Sequence, residues 1–406
     1  MPMESNASNL MTVASAIDAI DRLPVKPRRI SVPLEQAVGL RLAEDLKADR
    51  DYPPLDKSLM DGYAVRSADA AAAGAELLVV GEVAAGQAPA RGIGAGETMT
   101  IMTGAALPAG ADAIVPVEET GGPFAKSGQR VRITTATAPG RFVVARGVDA
   151  RQGTVVLPAG TLLNGPQLAV AACIGAANVA VWDRPRCAVL ATGNEIIPYD
   201  QTPAATQLRN SNSLMLVALL KRMGCAVRDV GVATDTPERI TAAIKDGLAD
   251  DALFVTGGMS MGQYDYVPKI LAELGGELKI TKLRIKPGKP FVVAAMPDGK
   301  YVFGLPGNPV SALVCTVRLA SRLLCRMAGG APRHEIAVAT LAGPLAANTN
   351  REFYQPGVLE GGHVRPLEWK GSADIFTLAA ANALIIRPEN APALTIGSST
   401  PIIELP

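Results

Sequence analysis

The sequence predicts a multidomain chain: a doubly wound, mostly parallel α/β domain combined with a small β domain, a mixed α+β scaffold and a C-terminal β domain. Three observations carry this prediction. Strand-like and helix-like segments alternate between Arg186 and Leu324. Short Val, Ile and Thr runs broken by Gly and Pro fill Tyr52 to Asp149 and again the stretch after Ala328. The 406 residues also exceed what one core holds, at about 100 to 200 residues per domain. The expected boundaries are 1–51 with 150–184 for an elongated scaffold, 52–149 for the small β domain, 185–328 for the α/β domain and 329–406 for the last.

In chain order, "MTVASAIDAIDRL" (11–23) and "PLEQAVGLRLAEDL" (33–46) repeat apolar residues at three- and four-residue spacing, which predicts two packing helices. "LLVVGEV", "TMTIMTGA", "DAIVPVEE" and "RVRITTA" read as strands of the small β domain. "GTVVLPAGTLL" is strand-like and "GPQLAVAACIGA" helical. In the α/β stretch, strand "CAVLAT" precedes helix "NSLMLVALLKRMG", with Gly224 as its C′ residue. Strand "AVRDVGVA" precedes helix "PERITAAIKDGL", with Thr236 as cap and Pro237 in its first turn. Strand "ALFVTGG", helix "YVPKILAELGG" and the strand, loop and long helix of "KYVFGLPGNPVSALVCTVRLASRLL" complete the alternation, which implies right-handed crossovers. After Ala328 the helices are expected to stop, and "AVATLAGPL", "HVRPLEW" and "NALIIRP" to form strands.

Composition excludes several classes. With 39 basic and 38 acidic residues there is no broad basic field of the kind that binds nucleic acid, so an anionic ligand must be met by a local site. Hydrophobic content of 48% with 19% charged residues argues against disorder. The longest apolar run, Leu168 to Trp182, is shorter than the roughly 20 residues of a membrane span. The N-terminal stretch lacks a basic region followed by a long apolar core, and the five cysteines show no CxxC spacing, so a cytoplasmic protein with free thiols is expected.

Ligands of open α/β sheets bind outside the carboxyl ends of the strands. Three loops fall there: "LATGNEI" with Thr192, Gly193 and Glu195; "VTGGMSMGQYD" with Gly257, Gly258, Ser260, Gly262 and Asp265; and "GLPGNPVSA". Their glycines admit close approach of a phosphate, and the helix N-termini that follow favour negative charge, although each loop alone is equally well explained as turn punctuation. None carries the Walker or GxGxxG pattern. "KLRIKPGKPF" crowds Lys282, Arg284, Lys286 and Lys289 into eight residues; in an extended segment the first three share one face and can meet an oxyanion, or can simply be a solvated charged edge.

The acids Asp56, Asp61, Glu195, Asp235 and Asp265 lie in or beside Gly- and Pro-containing loops. At about 4 Å from a phosphate a carboxylate costs about 1 kcal/mol in water-like surroundings and about 4 at an effective dielectric of 20, so a group of them implies a hard cation such as Mg²⁺. Taken singly, Asp235 is also explained as a helix cap and Asp56 as an Asx turn. The only histidines, His334 and His363, fall in the last β domain, and there is no GxSxG elbow, so metal-assisted, electrostatic chemistry is favoured over a Ser-His-Asp mechanism.

In order, "PPLDKSLMDGYAV", "IMTGAALPAGADAIVPVEE", "LATGNEI", "GGMSMGQYDYV", "KPGKPF" and "GLPGNPVSALV" resemble the motifs of molybdopterin molybdenumtransferases, the family of bacterial MoeA and the C-terminal domain of gephyrin. The resemblance spans about residues 10 to 400 and implies an elongated, four-domain subunit with an α/β domain of the molybdopterin-binding type and a C-terminal β-barrel-like domain. It also implies a homodimer with its site across the interface. The implied reaction inserts molybdate into adenylylated molybdopterin with release of AMP, assisted by Mg²⁺, downstream of an adenylyltransferase.

Carried over residue by residue, the resemblance implies a catalytic set of Asp61, Thr103, Glu195, Asp235, Asp265, Lys282 and Lys286. Asp61, Glu195, Asp235 and Asp265 are the implied metal or substrate-positioning acids, the two lysines the oxyanion binders and Thr103 a hydrogen-bonding residue. Substrate contacts are implied for Asp149, Gly193, Gly257, Gly258, Ser260, Gly262, Lys289, Pro306, Gly307, Asn308, Pro309 and Ser311. The chain departs from the family pattern at Gln263, where an acid is common, and in "RFVVARGVD", which keeps only Arg141 and Arg146. A non-catalytic scaffold or carrier of the same fold is the alternative, opposed by the retained acids and lysines, which cost stability when buried. A nucleotide-dependent phosphotransferase is a third reading, opposed by the absent phosphate fingerprints.

Overall fold

The computed structural model describes residues 10–259, 266–332 and 336–405. The chain gathers into two compact units. The smaller comprises Ser31–Val38 and Glu44–Val179; the larger comprises the stretch ending at Ile30, Gly39–Ala43 and everything from Ala180 onward.

The smaller unit is built on a five-stranded sheet in the order Ala113–Pro116, Gly62–Val65, Glu97–Ile101, Glu76–Val83, Arg130–Arg132. The first two strands named are buried along their whole length. Gly62 is needed where strands cross closely: a Cβ there would stand 2.1 Å from the carbonyl oxygen of Val115. Gly62 pairs with Ile101, and this register brings the residue before the first strand against the residues after the second. The helix Gly165–Cys173 forms as expected, with the Gln167 side chain accepting from the Asn164 backbone N–H at 3.3 Å.

The second helix expected from the N-terminal pattern does not form. Leu34–Gln36 make one 3₁₀ turn, Gly39 adopts φ +74, and Arg41–Leu42 and Leu46–Lys47 are short strands. The positive φ at Gly39 breaks any helix there, and the buried Leu40 and Leu42 follow a period of two. The first helix, Val13–Asp21, is present; Thr12 caps it, and it buries Val13, Ala16, Ile17 and Ile20 in the core of the larger unit.

That core surrounds a six-stranded sheet ordered Ala226–Ala233, Arg186–Thr192, Ala252–Thr256, Tyr301–Leu305, Val292–Ala295, Glu277–Ile280. The first four strands are parallel, and only Val292–Ala295 runs against the rest, antiparallel to both its neighbours, so the sheet is mostly parallel, as expected. Ala252–Thr256 and Tyr301–Leu305 are buried at every residue, the pattern of strands covered on both faces. Phe254 and Phe303 stack with ring centroids 4.9 Å apart. Helices Ser211–Arg222, Pro237–Gly247, Val267–Glu273 and Pro309–Cys315 follow the strands. The last of them runs on through a π turn, Thr316–Ala320, into Ser321–Met327.

The C-terminal sheet closes on itself. Glu352–Glu360 pairs with both His363–Pro366 and Ala383–Arg387, while Ser399–Glu404 and Ala337–Leu341 complete the ring. Two differences from the sequence reading matter for the site. "KLRIKPGKPF" contributes Ile285–Lys286 to this barrel, parallel to Glu352–Phe353. A short helix, Ile375–Ala379, also follows Ala328, where the helices were expected to stop; Asp374 caps it, an acceptor doing what the weak periodicity of five residues does not signal.

Candidate active site

The strand Arg186–Thr192 feeds a neighbour on one side, Ala226–Ala233, and then the chain crosses to Ala252–Thr256 on the other. The two connections leave in opposite directions, which opens a crevice at the carboxyl ends of the strands. A cavity of about 660 Å³ lies there, lined by Thr192 and Glu195, by Gly257 and Gly258, and by Pro306, Gly307, Asn308 and Pro309. The N-terminal ends of two helices border it, at Ser211–Asn212 and at Pro309.

The glycines are there because nothing larger fits. Gly257 has φ +90, and a Cβ on it would stand 2.5 Å from the Thr192 carbonyl oxygen and 2.9 Å from its Oγ1. Gly258 has φ +63, and its Cβ would lie 3.1 Å from the same hydroxyl. Thr192 is buried and donates to the Thr256 carbonyl at 3.4 Å, which ties the first strand to the third beneath the cavity. Gly193, at φ +143, sits under the Glu195 carboxylate: both oxygens lie 2.9 Å from where its Cβ would be.

Asp235 is bonded to Asn194, the chain neighbour of Glu195. Its Oδ2 accepts from Asn194 N–H at 3.1 Å, while its own N–H donates to Asn194 Oδ1 at 3.0 Å. Thr236, rather than Asp235, is the helix cap, accepting from Arg239 N–H. Ser311 is 3% exposed, inside the helix that begins at Pro309, and does not line the cavity. Ser260, Gly262, Gln263 and Asp265 lie outside the described residues.

The lysines are arranged as period two requires, with Leu283 and Ile285 buried between them. They do not line the cavity, whereas Pro290, next to Lys289, does. Arg284 pairs with Glu389 at 3.1 Å, and the Lys286 ammonium stands 4.7 Å above the Phe353 ring. Among the described residues the cation that lines the cavity is Arg209, whose Nε donates to the Gln201 carbonyl at 3.0 Å.

Sequence reasoning missed that wall: Leu208, Arg209, Asn210, Ser211 and Asn212 from the connection after Ile197, and Ala373 and Ile375 from the C-terminal region. Asn210 was legible as a cap, since its side chain accepts from Ser213 N–H at 3.1 Å. The 372–375 wall was not. It is pinned by Val310 N–H to the Ser372 carbonyl at 3.1 Å and by Asn308 Nδ2 to Ser372 Oγ at 2.8 Å. Two backbone N–H groups and the Thr377 hydroxyl donate to Asp374 and hold its carboxyl down at about 2.

In the smaller unit the register of Gly62 with Ile101 delivers Asp61 to Thr103, whose backbone N–H and hydroxyl both donate to Asp61 Oδ1 at 2.7 Å. Those two bonds, the backbone one foremost, hold the exposed Asp61 carboxyl below the usual carboxylate range. Asp56 accepts from Arg146 N–H at 2.7 Å, closing a loop between distant residues rather than an Asx turn. Asp149 is exposed and donates its backbone N–H to the Tyr52 carbonyl at 3.0 Å. The two retained arginines are held in ion pairs, Arg141 with Glu119 at 2.6 Å and Arg146 with Asp51 at 2.6 Å.

Fold and crevice define a doubly wound α/β protein with a glycine-lined cavity at the switch point of its sheet. Three family models match the chain in order: the MoeA N-terminal region (domains I and II) over residues 11–175, the probable molybdopterin binding domain over 188–325 and the MoeA C-terminal region (domain IV) over 338–405. The chain is 33% identical over 396 residues to a molybdopterin molybdenumtransferase of Nostoc sp., spanning 92% of this chain and 88% of that one. It is 31% identical over 407 residues to one of Staphylococcus aureus, spanning 97% and 96%. The crystal structure of the molybdopterin biosynthesis MoeA protein from Pyrococcus horikosii superposes with a TM-score of 0.84 at 31% identity, covering 98% of this chain and all of that one. The chain belongs to the MoeA family of molybdopterin molybdenumtransferases, proteins of molybdenum cofactor biosynthesis.

Proposed function

We propose that this protein inserts molybdate into adenylylated molybdopterin and releases AMP, the last step in making the molybdenum cofactor. The observation that carries the reading is the crevice at the switch point, where Gly257 and Gly258 admit close backbone approach and two helix N-termini favour an anion. Among the described residues Glu195 is the carboxylate lining it, which a purely anion-binding cleft would not contain.

The donor set fits a hard cation. One or two carboxylates completed by phosphate oxygens and water is the usual surrounding of Mg²⁺, and Glu195 on the cavity wall, with Asp235 bonded to its neighbour Asn194, offers oxygen donors of that kind. Among the described residues no group of three or more His, Cys, Asp or Glu side chains assembles into a metal site, so the ligand's own oxygens are required in this reading. The bound ion supplies neutralisation of phosphate charge. This chain's residues do the rest: the glycine loops seat the phosphates, Arg209 adds positive charge at the wall, and Asp61, fixed by Thr103, keeps its carboxylate ionised. We place Lys282, Lys286 and Lys289 with molybdate, Asp265 with the metal and the homodimer interface with Asp61, and we locate the activity in the cytoplasm, supplied by an adenylyltransferase. The division into four domains given by the sequence belongs to the same reading.

The test is to incubate the protein with adenylylated molybdopterin and Mg²⁺ and to follow AMP with and without molybdate. Molybdate-dependent AMP release is expected. Tight binding of the pterin without AMP release would replace the enzyme by a carrier, and ATP turnover without pterin by a phosphotransferase.

A further inference from the structure

The ladder between strands Arg186–Thr192 and Ala226–Ala233 ends at the pair Thr192 and Ala233, yet the two loops that follow stay joined. Gly193 N–H donates to the Ala233 carbonyl at 3.3 Å, and just past it each loop takes hold of the other. The Asp235 carboxylate accepts from Asn194 N–H at 3.1 Å, and the Asn194 side-chain oxygen accepts from Asp235 N–H at 3.0 Å. Each side chain thus satisfies a backbone donor that the other's tight turn leaves open. Ile196 N–H to the Gly193 carbonyl closes one turn at 3.2 Å, and Thr236 N–H to the Thr234 carbonyl closes the other at 2.7 Å.

Asp235 is spare for this contact. Thr236 caps the helix that follows, Asp235 does not line the cavity, and it forms no ion pair among the described residues. Glu195 does line the cavity; its carbonyl accepts from Leu208 N–H at 2.7 Å, and its carboxylate lies over Gly193. Only one peptide separates Glu195 from the clasp, so releasing Asn194 releases the turn that aims Glu195. We infer that Asn194 and Asp235 are a pair of positioning residues: each side chain accepts from the other's backbone N–H, and together they set the Glu195 carboxylate on the cavity wall. The inference rests on the proposed function for what Glu195 meets there, a divalent ion beside the ligand's phosphates. It gives Asp235 a task that needs its hydrogen bond and not its charge.

The ion is the readout that a merely structural clasp would not move. Mn²⁺ binding to the full chain with AMP present is titrated by EPR, and the half-saturating Mg²⁺ for molybdate-dependent AMP release is measured beside it. Asn194→Ala and Asp235→Ala are each expected to weaken both by about tenfold, the usual effect of losing a partner that orients a metal-binding side chain. The KM for molybdate is expected to move less than about twofold, since the clasp acts on Glu195 alone. Because the two residues act as one unit, the double variant is expected to fall well short of the product of the two losses.

Conservative variants separate pairing from charge. Asp235→Asn and Asn194→Asp each keep an oxygen that accepts the same backbone N–H, and each is expected to recover most of what its alanine variant loses. An Asp235→Asn variant as weak as Asp235→Ala overturns the inference, because the charge of Asp235 is then what matters. Losses that multiply in the double variant overturn it as well, and so do alanine variants that lower the melting temperature with both ion titrations unmoved. All three outcomes leave the proposed function standing. A wild-type chain that neither binds Mn²⁺ nor releases AMP overturns the proposed function, and the inference with it.

Discussion

The crevice of the larger unit and the Asp61 loop of the smaller one solve different problems with the same few residue types. In the crevice the backbone is the instrument: glycines at φ +90 and +63 clear space against Thr192, and helix N-termini face the cavity. In the Asp61 loop a side chain is the instrument, and the backbone serves it: Thr103 donates twice to one carboxylate oxygen and leaves the other open. The difference teaches that a glycine clearing a carbonyl oxygen can serve two ends. Gly257 clears that of Thr192 at the wall of the cavity, whereas Gly62 clears that of Val115 beside Asp61.

Gly257→Ala is the most severe way to break this comparison. The left-handed backbone alone costs about 1–3 kcal/mol with a side chain present, and the methyl meets a carbonyl oxygen at 2.5 Å. A lowered melting temperature and loss of AMP release are both expected; a stable, active Gly257→Ala variant would show that the loop does not seat the ligand.

Asp61→Asn should do the reverse, sparing the fold, since an amide oxygen still accepts from Thr103, while slowing molybdate-dependent AMP release by roughly tenfold or more, about 1.4 kcal/mol of barrier. Its pH behaviour sharpens the point. Because Thr103 lowers the folded-state value, the stabilisation from this pair is complete above the ordinary carboxylate pKa and disappears as pH falls through the lowered value. Carboxyl NMR should find Asp61 titrating below an unperturbed aspartate, and Thr103→Val should move it up.

The smallest effect is expected at Lys286→Ala. The variant loses a cation–π contact with Phe353 worth about 0.5–1 kcal/mol and shifts the molybdate titration to higher concentration. An unmoved titration would leave this lysine as part of the barrel alone.

Much of the larger unit was legible because its signals are local. The largely apolar runs 252–256 and 301–305 announce buried strands, and Thr236–Pro237 and Gly224 mark helix ends through the backbone of their own turn. The site was half legible for the same reason: loops after parallel strands are found by position, and Glu195, Gly257, Gly258, Pro306, Gly307, Asn308 and Pro309 do line one cavity. The wall from Ala373 and Ile375 was not, because the bonds of Ser372 to Val310 and Asn308 join residues more than sixty positions apart.

By itself the sequence determined the strands, most helices and the glycines that turn the loops, since each depends on the conformational limits of a few neighbouring residues. Tertiary structure alone decided that the 33–46 pattern would not become a second helix, that "KLRIKPGKPF" would join the barrel, and that Asn212 would bond Gly307. Those outcomes depend on which distant backbone supplies a partner, and a hydrogen bond is decided by position in space, which spacing along the chain does not encode.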